Sequence, residues 1–230
     1  MALFGIGDLH LSLGGEKPMD VFRGWENHTR RLEENWRSRV GPKDTVVLLG
    51  DTSWAMRLED TLADFAFLQG LPGRKILLKG NHDYWWSTVT KMTGWLDKNR
   101  LDTLSFLHNN SFSVDGYAVC GTRSWLFDPG ETHDMKVMHR ESGRLRASLG
   151  AADPAAQKLV FLHYPPVYAN ARSQEIIDVM NEYRVEHCFY GHLHGQSIPW
   201  AVQGGIDVIC YRLLSANSRA FEPEKIEVNA

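Results

Sequence analysis

Seven short apolar runs alternate with stretches of helical period along the chain. The runs are Leu3–Gly7, Thr45–Leu49, Lys75–Lys79, Tyr117–Cys120, Lys158–Leu162, Glu186–Tyr190 and Ile206–Leu213. Several are continuous and rich in branched residues, as strands buried on both faces require. Between them, Phe22, Trp25, Thr29, Leu32 and Trp36 follow a helical stripe that Gly41-Pro42 ends. Leu58, Leu62, Phe65 and Leu68 form a second stripe, and Trp85, Val89, Met92 and Leu96 a third. Ile176, Met180 and Tyr183 form another near the end. Gln203-Gly204-Gly205 is expected to turn a hairpin between Trp200–Val202 and Ile206–Tyr211. Such alternation implies an α/β fold with a largely parallel core and an antiparallel edge or second sheet.

No repeat, low-complexity stretch or linker interrupts the 230 residues, so a single domain over 1–230 is expected. Apolar residues are 43% and charged residues 23%, which excludes disordered and fibrous classes. The balance of 25 basic and 28 acidic residues, with Arg30-Arg31 the longest basic run, gives no sign of a nucleic-acid-tracking surface. Three cysteines do not make a disulfide framework. No apolar stretch reaches the ~18 residues of a membrane span. Met1–Gly7 reads as a core strand rather than a signal peptide, so a cytoplasmic location is expected. Residues 123–139, with Trp125, Phe127, Pro129-Gly130 and His133, show no period and are long for a connection. They are expected to form a lid loop over the site.

The polar residues sit where the strands end. Leu3–Gly7 runs into Asp8-Leu9-His10, and Thr45–Leu49 into Gly50-Asp51. Lys75–Lys79 runs into Gly80-Asn81-His82-Asp83, Lys158–Leu162 into His163, and Glu186–Tyr190 into Gly191-His192-Leu193-His194. Ligands of α/β sheets gather beyond the carboxyl ends of strands. One such residue alone is ordinarily a turn or cap group. Five strand ends together collect imidazole, carboxylate and amide oxygen without thiolate, the donor mixture for Mn, Fe, Zn, Ni or Co. There are too many donors for one tetrahedral ion. Two ions ~3.5–4 Å apart suit them better. Gly50, Gly80 and Gly191 are expected to let the chain turn sharply, so that the next side chain faces the ions.

Asp8-x-His10, Gly50-Asp51, Gly80-Asn81-His82-Asp83, His163 and Gly191-His192-x-His194 resemble, in order, the motif set of the calcineurin-like metallophosphoesterases. The resemblance spans residues 8 to 194. It implies an α/β sandwich of two mixed β-sheets flanked by helices, with two divalent metal ions at one edge. It further implies that Asp8, His10 and His194 hold the first ion, that Asn81, His163 and His192 hold the second, and that Asp51 bridges them. A bridging hydroxide would attack phosphorus. His82 would protonate the leaving group, with Asp83 orienting its ring and raising its pKa. Asp83 also suits the cap of a helix starting near Tyr84.

Trp54 and Trp125 are candidates to line the substrate cleft, and Arg123, just after a strand, to clamp phosphate. His28 is expected at the surface or its boundary, and Cys188 in the core. The acidic-Arg pair of the protein phosphatase branch is replaced by Thr52-Ser53, and that branch's Glu by Asp83. The chain therefore looks more like the compact bacterial members. The expected activity is a phosphodiesterase or phosphomonoesterase acting on a small phosphorylated substrate. The alternatives are a nuclease or nucleotide pyrophosphatase, and a scaffold that keeps the fold without catalysis.

Overall fold

The computed structural model describes residues 1–15, 17–125, 135–169 and 171–228. Four parallel strands, β1 (Leu3–Ile6), β2 (Thr45–Leu48), β3 (Arg74–Leu77) and β4 (Leu104–Phe106), form the first sheet in that order. A second sheet begins with β5 (Phe112–Val114), antiparallel to β6 (Tyr117–Thr122). β6 runs parallel to β7 (Gln157–Leu162). A small hairpin follows, β8 (Val167–Tyr168) with β9 (Ala171–Arg172). β10 (His187–Tyr190) then pairs in parallel with β7 on one side. β11 (Gly204–Ile206) lies at the far edge, antiparallel to β12 (Ile209–Leu213), which is parallel to β10. The last strand, β13 (Glu224–Lys225), returns to the first sheet, antiparallel to β1. Both sheets are thus mixed.

Side-chain alternation builds four layers. Val46 and Leu48 of β2 face Leu32 and Trp36 of α1 (His28–Arg39), Phe65 and Leu68 of α2 (Leu62–Gln69), and Met92 and Leu96 of α3 (Val89–Lys98). Val47, with Leu49 just beyond the strand, points the other way into the space between the sheets, against Leu159 and Phe161 of β7. Val160 and Leu162 face Leu145 and Leu149 of α4 (Met135–Gly150) and Ile176 and Met180 of α5 (Gln174–Glu182). Helices therefore cover both outer faces. This double burial is why the central strands read as unbroken apolar runs. Cys188 is fully buried in the outer layer of the second sheet, as expected.

Several local expectations need correction. The first helix begins at His28, not near Phe22, because Gly24 and Asn27 take left-handed backbone (φ 88° and 52°) that no helix continues. Phe22 is exposed as a result. His28 is buried rather than at the surface, its ring edge-on to Trp25 with centroids 5.4 Å apart. The third helix starts at Val89, capped by the Thr88 hydroxyl, so neither Tyr84 nor Trp85 is helical and Asp83 caps no helix. Trp85 still packs in the core, edge-on to Phe65. The C-terminal hairpin turns at Asp207-Val208, with Ile206 opposite Ile209, and Gly204-Gly205 lie within the paired strand. Asp207 adopts φ 54°, the left-handed geometry of a two-residue turn. Most of the expected lid, residues 126–134, lies outside the described residues, and from Met135 onward the chain is α4.

Candidate metal centre

The carboxyl ends of β1, β2, β3, β7 and β10 converge at one edge of the sandwich. The loops after them are laced by backbone bonds. Asp8 N–H donates to the Gly50 carbonyl (2.9 Å), His10 N–H to Asp51 (2.9 Å) and Gly191 N–H to His163 (3.1 Å). Asp8, His10, Asp51 and His192 all have positive φ, between 46° and 70°. Non-glycine residues seldom adopt this backbone, and its clustering marks a site where geometry is imposed for function.

The glycines act differently from one another. Gly50 needs its φ of 88°, as a sharp turn requires. Gly80 and Gly191 have no positive φ. They are required by close approach. A Cβ on Gly80 would lie 2.0 Å from Asp51 Oδ1, and one on Gly191 would lie 2.6 Å from Asp8 Oδ2. Their lack of a side chain lets the carboxylates reach inward.

Two groups of donors result. Asp8, His10 and His194 form one, with His10 Nε2 3.3 Å from His194 Nε2 and His194 Nε2 3.4 Å from Asp8 Oδ1. Asn81, His163 and His192 form the other, with Asn81 Oδ1 2.6 Å from His163 Nε2 and 3.1 Å from His192 Nδ1. Between them stands Asp51, whose Oδ2 is 3.7 Å from His10 Nε2 and 3.6 Å from His163 Nε2. Asp8, Asp51 and His163 also lie close enough to share an ion.

The donor chemistry fits divalent cations. His163 Nδ1 donates to the Leu49 carbonyl at 2.9 Å, which fixes the tautomer and turns the Nε2 lone pair toward the Asn81 oxygen. Burial pulls the His163 pKa below its ordinary value, which favours the neutral ring. Two acceptors then face each other at 2.6 Å, an arrangement a cation between them would relieve. Asp51 Oδ2 is buried and, among the described residues, has no hydrogen-bond donor, a cost a bound cation would remove.

The charges point the same way. Burial pushes the Asp8 carboxyl up, but His194, His163 and His10 outweigh it and hold the pKa below the usual range. Burial and the Asp8 charge together push Asp51 well above its ordinary value. Burial is the largest effect on His10, well below normal, and on His192, pulled down to about 3. Burial also pulls on His194, but the Asp8 charge and its hydrogen bonds prevail and raise it. Burial disfavours charge on His10, His163, His192 and Asp51 alike, and a cation bound among them would offset that cost for the carboxylates.

Asp83 has a different task from the one expected. Its carboxylate accepts the backbone N–H of Gly80 (2.7 Å), Asp51 (2.9 Å), Thr52 (2.9 Å) and Ser53 (3.3 Å), and the Trp85 indole N–H (3.0 Å). It ties the loop after β2 to the loop after β3. His82 Nδ1 is buried and, among the described residues, has no hydrogen-bond partner, so Asp83 does not orient that ring. Nor is the His82 pKa raised; burial, then His163, lower it. Backbone partners 30 to 32 residues away leave no trace in the sequence.

The substrate-side residues separate into two flanks. Trp54, half-buried, stacks on His10 (centroids 4.8 Å, 27° between planes) and lies 4.6 Å from the His82 ring, so it walls the first group. Trp125 packs beside Tyr164, whose ring is 5.2 Å from Trp125 and 4.2 Å from His192 of the second group. Arg123 lies under Trp125 (4.9 Å) and 3.6 Å from the buried carboxylate of Glu141.

Sequence reasoning missed Asn217, whose side-chain oxygen is 3.2 Å from His194 Nδ1. It steers that ring so that Nε2 faces His10 and Asp8. It lies 23 residues past His194 in a short turn, where no motif marks it. Asn217→Ala is expected to weaken binding of one Mn²⁺ by about 10–100-fold, as loss of a ligand-orienting partner does. Titration calorimetry with the metal-stripped chain checks this, and equal affinity in the variant would contradict it.

A family model described as calcineurin-like phosphoesterase matches residues 1–196. The gene 66 protein of Mycobacterium phage D29 is 38% identical over 79 residues, 33% of this chain and only 37% of that protein's length. The crystal structure of a phosphopantetheinyl hydrolase from Mycobacterium tuberculosis superposes with a TM-score of 0.59 at 14% identity, over 99% of this chain and 96% of that one. TT1561 of Thermus thermophilus gives 0.56 at 15%, over 99% and 98%. A protein of unknown function from Aquifex aeolicus gives 0.54 at 16%, over 97% and 95%. At these identities the structural likeness is one of fold.

Proposed function

The chain belongs to the family of calcineurin-like, metal-dependent phosphoesterases, and from that premise we propose that it hydrolyses a phosphate ester of a small substrate with two divalent cations. The observation that carries this reading is Asp51 Oδ2, buried, without a donor and about equally far from His10 and His163. Asp8, His10 and His194 would hold one cation, Asn81, His163 and His192 the other, and Asp51 both. The cations supply a water of lowered pKa and a charge clamp on the phosphoryl oxygens.

The remaining steps fall to side chains. His163 and His194 are held in one tautomer by Leu49 and Asn217. Asp83 keeps the two ligand loops in register through its backbone contacts. His82 stands beside the His10 ring, centroids 5.8 Å apart, and its backbone N–H anchors Asp51 Oδ1 at 2.8 Å. Its ring would deliver a proton to the departing oxygen. Trp54 walls that flank.

His82→Ala is expected to keep both metals and to slow hydrolysis by ~10²–10⁴-fold, most for esters with poor leaving groups. Metal analysis with parallel kinetics on aryl and alkyl esters tests this. An unchanged rate on the alkyl ester would remove His82 from the mechanism.

The reading as a whole is tested by metal content and by turnover of bis-p-nitrophenyl phosphate and p-nitrophenyl phosphate after Mn²⁺ loading. Two metals per chain with the diester preferred is the expected result. Monoester preference would redirect the search to phosphorylated metabolites. A folded protein with no metal and no turnover would leave a scaffold.

A further inference from the structure

A second polar slot opens beside the metal centre, between the carboxyl ends of β3, β4 and β6. Lys79, His108, Thr122, Arg123, Glu141 and Arg144 line it. Glu141 is fully buried and accepts from the Thr122 hydroxyl (2.5 Å) and Arg144 Nη1 (2.6 Å), with Arg123 Nη2 at 3.6 Å. One carboxylate thus serves two guanidinium groups, and among the described residues the buried Arg123 Nε has no acceptor. Lys79 adds a third cation. It is half-buried, and among the described residues its ammonium has neither an ion pair nor a hydrogen bond. Three cations crowd the slot's own carboxylate, Glu141, and the Asp83 carboxylate that also acts on Lys79 is already bonded to four backbone N–H groups and the Trp85 indole.

Such an excess is costly unless an anion completes it. The slot holds about 10 Å³, one water's worth, so an anion would lie across its mouth against Lys79 and the partly exposed Arg144. Its position ties it to the metal centre. Lys79 is two residues before Asn81. The Arg123 carbonyl accepts from Tyr164 N–H at 2.9 Å, and Tyr164 follows His163. The slot therefore flanks the Asn81–His163 side of the centre, opposite the Trp54 wall.

We propose that the Lys79–Arg123–Arg144 slot binds a second phosphate group of the substrate, so that the natural substrate carries two phosphoryl groups, one at the metal centre and one here. This deepens the phosphoesterase reading and rests on it. It also takes Arg123 away from the reacting phosphoryl group and leaves it to shape the slot beside Glu141. Arginine and lysine together suit phosphate, one by its planar fork and the other as a compact charge.

The test uses ligands that cannot be hydrolysed. Alkane-1,n-diyl bisphosphonates of three to six carbons are compared with the matching alkylphosphonates by calorimetry on the Mn²⁺-loaded chain. At the best length the bisphosphonate is expected to bind about 10-fold or more tightly, the worth of one or two charge-assisted hydrogen bonds. Lys79→Met is expected to remove most of that advantage, and Lys79→Arg to keep it. Equal affinities in the wild type, or an advantage that survives Lys79→Met, would overturn the proposal. The wild-type comparison decides even if the variant fails to fold. Turnover of the aryl esters is read separately. Its absence beside a clear bisphosphonate advantage would count for the anion site and against the phosphoesterase reading alone.

Discussion

Asp51→Asn is expected to leave the fold intact and to abolish hydrolysis. The amide oxygen can still accept the His82 N–H that Asp51 Oδ1 accepts at 2.8 Å, so the loop has no reason to move. The change falls on Oδ2, which is buried, lacks a donor and stands between His10 and His163. An NH₂ there presents hydrogens to the place where a cation would be shared. It can neither donate a lone pair nor balance charge. At least one of the two metals should be lost, and kcat/KM for bis-p-nitrophenyl phosphate should fall by about 10³-fold or more, ~4 kcal/mol of barrier. Metal content by mass spectrometry, a circular dichroism melt and kinetics on one preparation check the three parts. Two bound metals and near-normal turnover would show that Asp51 is not the shared ligand.

Gly80→Ala is expected to destabilise the protein by about 2–4 kcal/mol, at the upper end for overpacking, because the obstacles are the Asp51 backbone N and a buried Asp51 carboxylate oxygen held by the His82 N–H. The new methyl would sit 2.0 Å from Asp51 Oδ1 and 2.2 Å from Asp51 N. Relief requires the loops after β2 and β3 to part, which stretches the bonds from Asp51 and Gly80 N–H to the Asp83 carboxylate. Stability and metal affinity should therefore fall together. Gly94→Ala in α3 and Gly143→Ala in α4 are the controls. A Cβ there meets nothing within 4 Å, and each change should be neutral or stabilise by about 0.5–1 kcal/mol. Urea denaturation of the three variants separates the cases. A Gly80→Ala protein as stable as wild type would mean that the loops are looser than their bonds imply.

The strands and their order of motifs were legible because both follow from local requirements. Val46 to Leu49 must be apolar at every position, since alternate side chains enter two different cores. The residues after the strands had to be imidazole, carboxylate or amide, since no other side chains supply those donors. The helix starts were less legible. The stripe from Phe22 to Trp36 keeps its period through Gly24 and Asn27, yet their left-handed backbone breaks it. The hairpin was misplaced for a related reason. Gly204-Gly205 looked like the turn, while Asp207, which also tolerates positive φ, made it.

Within the centre the boundary is sharper. Donor identity is a property of single residues and their strand-end positions, so the amino-acid sequence alone determined which seven side chains gather and that the fold is a layered α/β sandwich. Orientation is a property of neighbours brought from elsewhere in the chain. The Leu49 carbonyl selects which nitrogen of His163 is free, Asn217 does the same for His194, and Asp83 holds backbone from a loop some thirty residues earlier. Only the tertiary structure decided these contacts. The contacts of Leu49 and Asp83 are made with backbone groups, which place no demand on the type of the residue that owns the backbone, and Asn217 meets His194 across 23 residues with no fixed spacing, so no pattern of residue types records them.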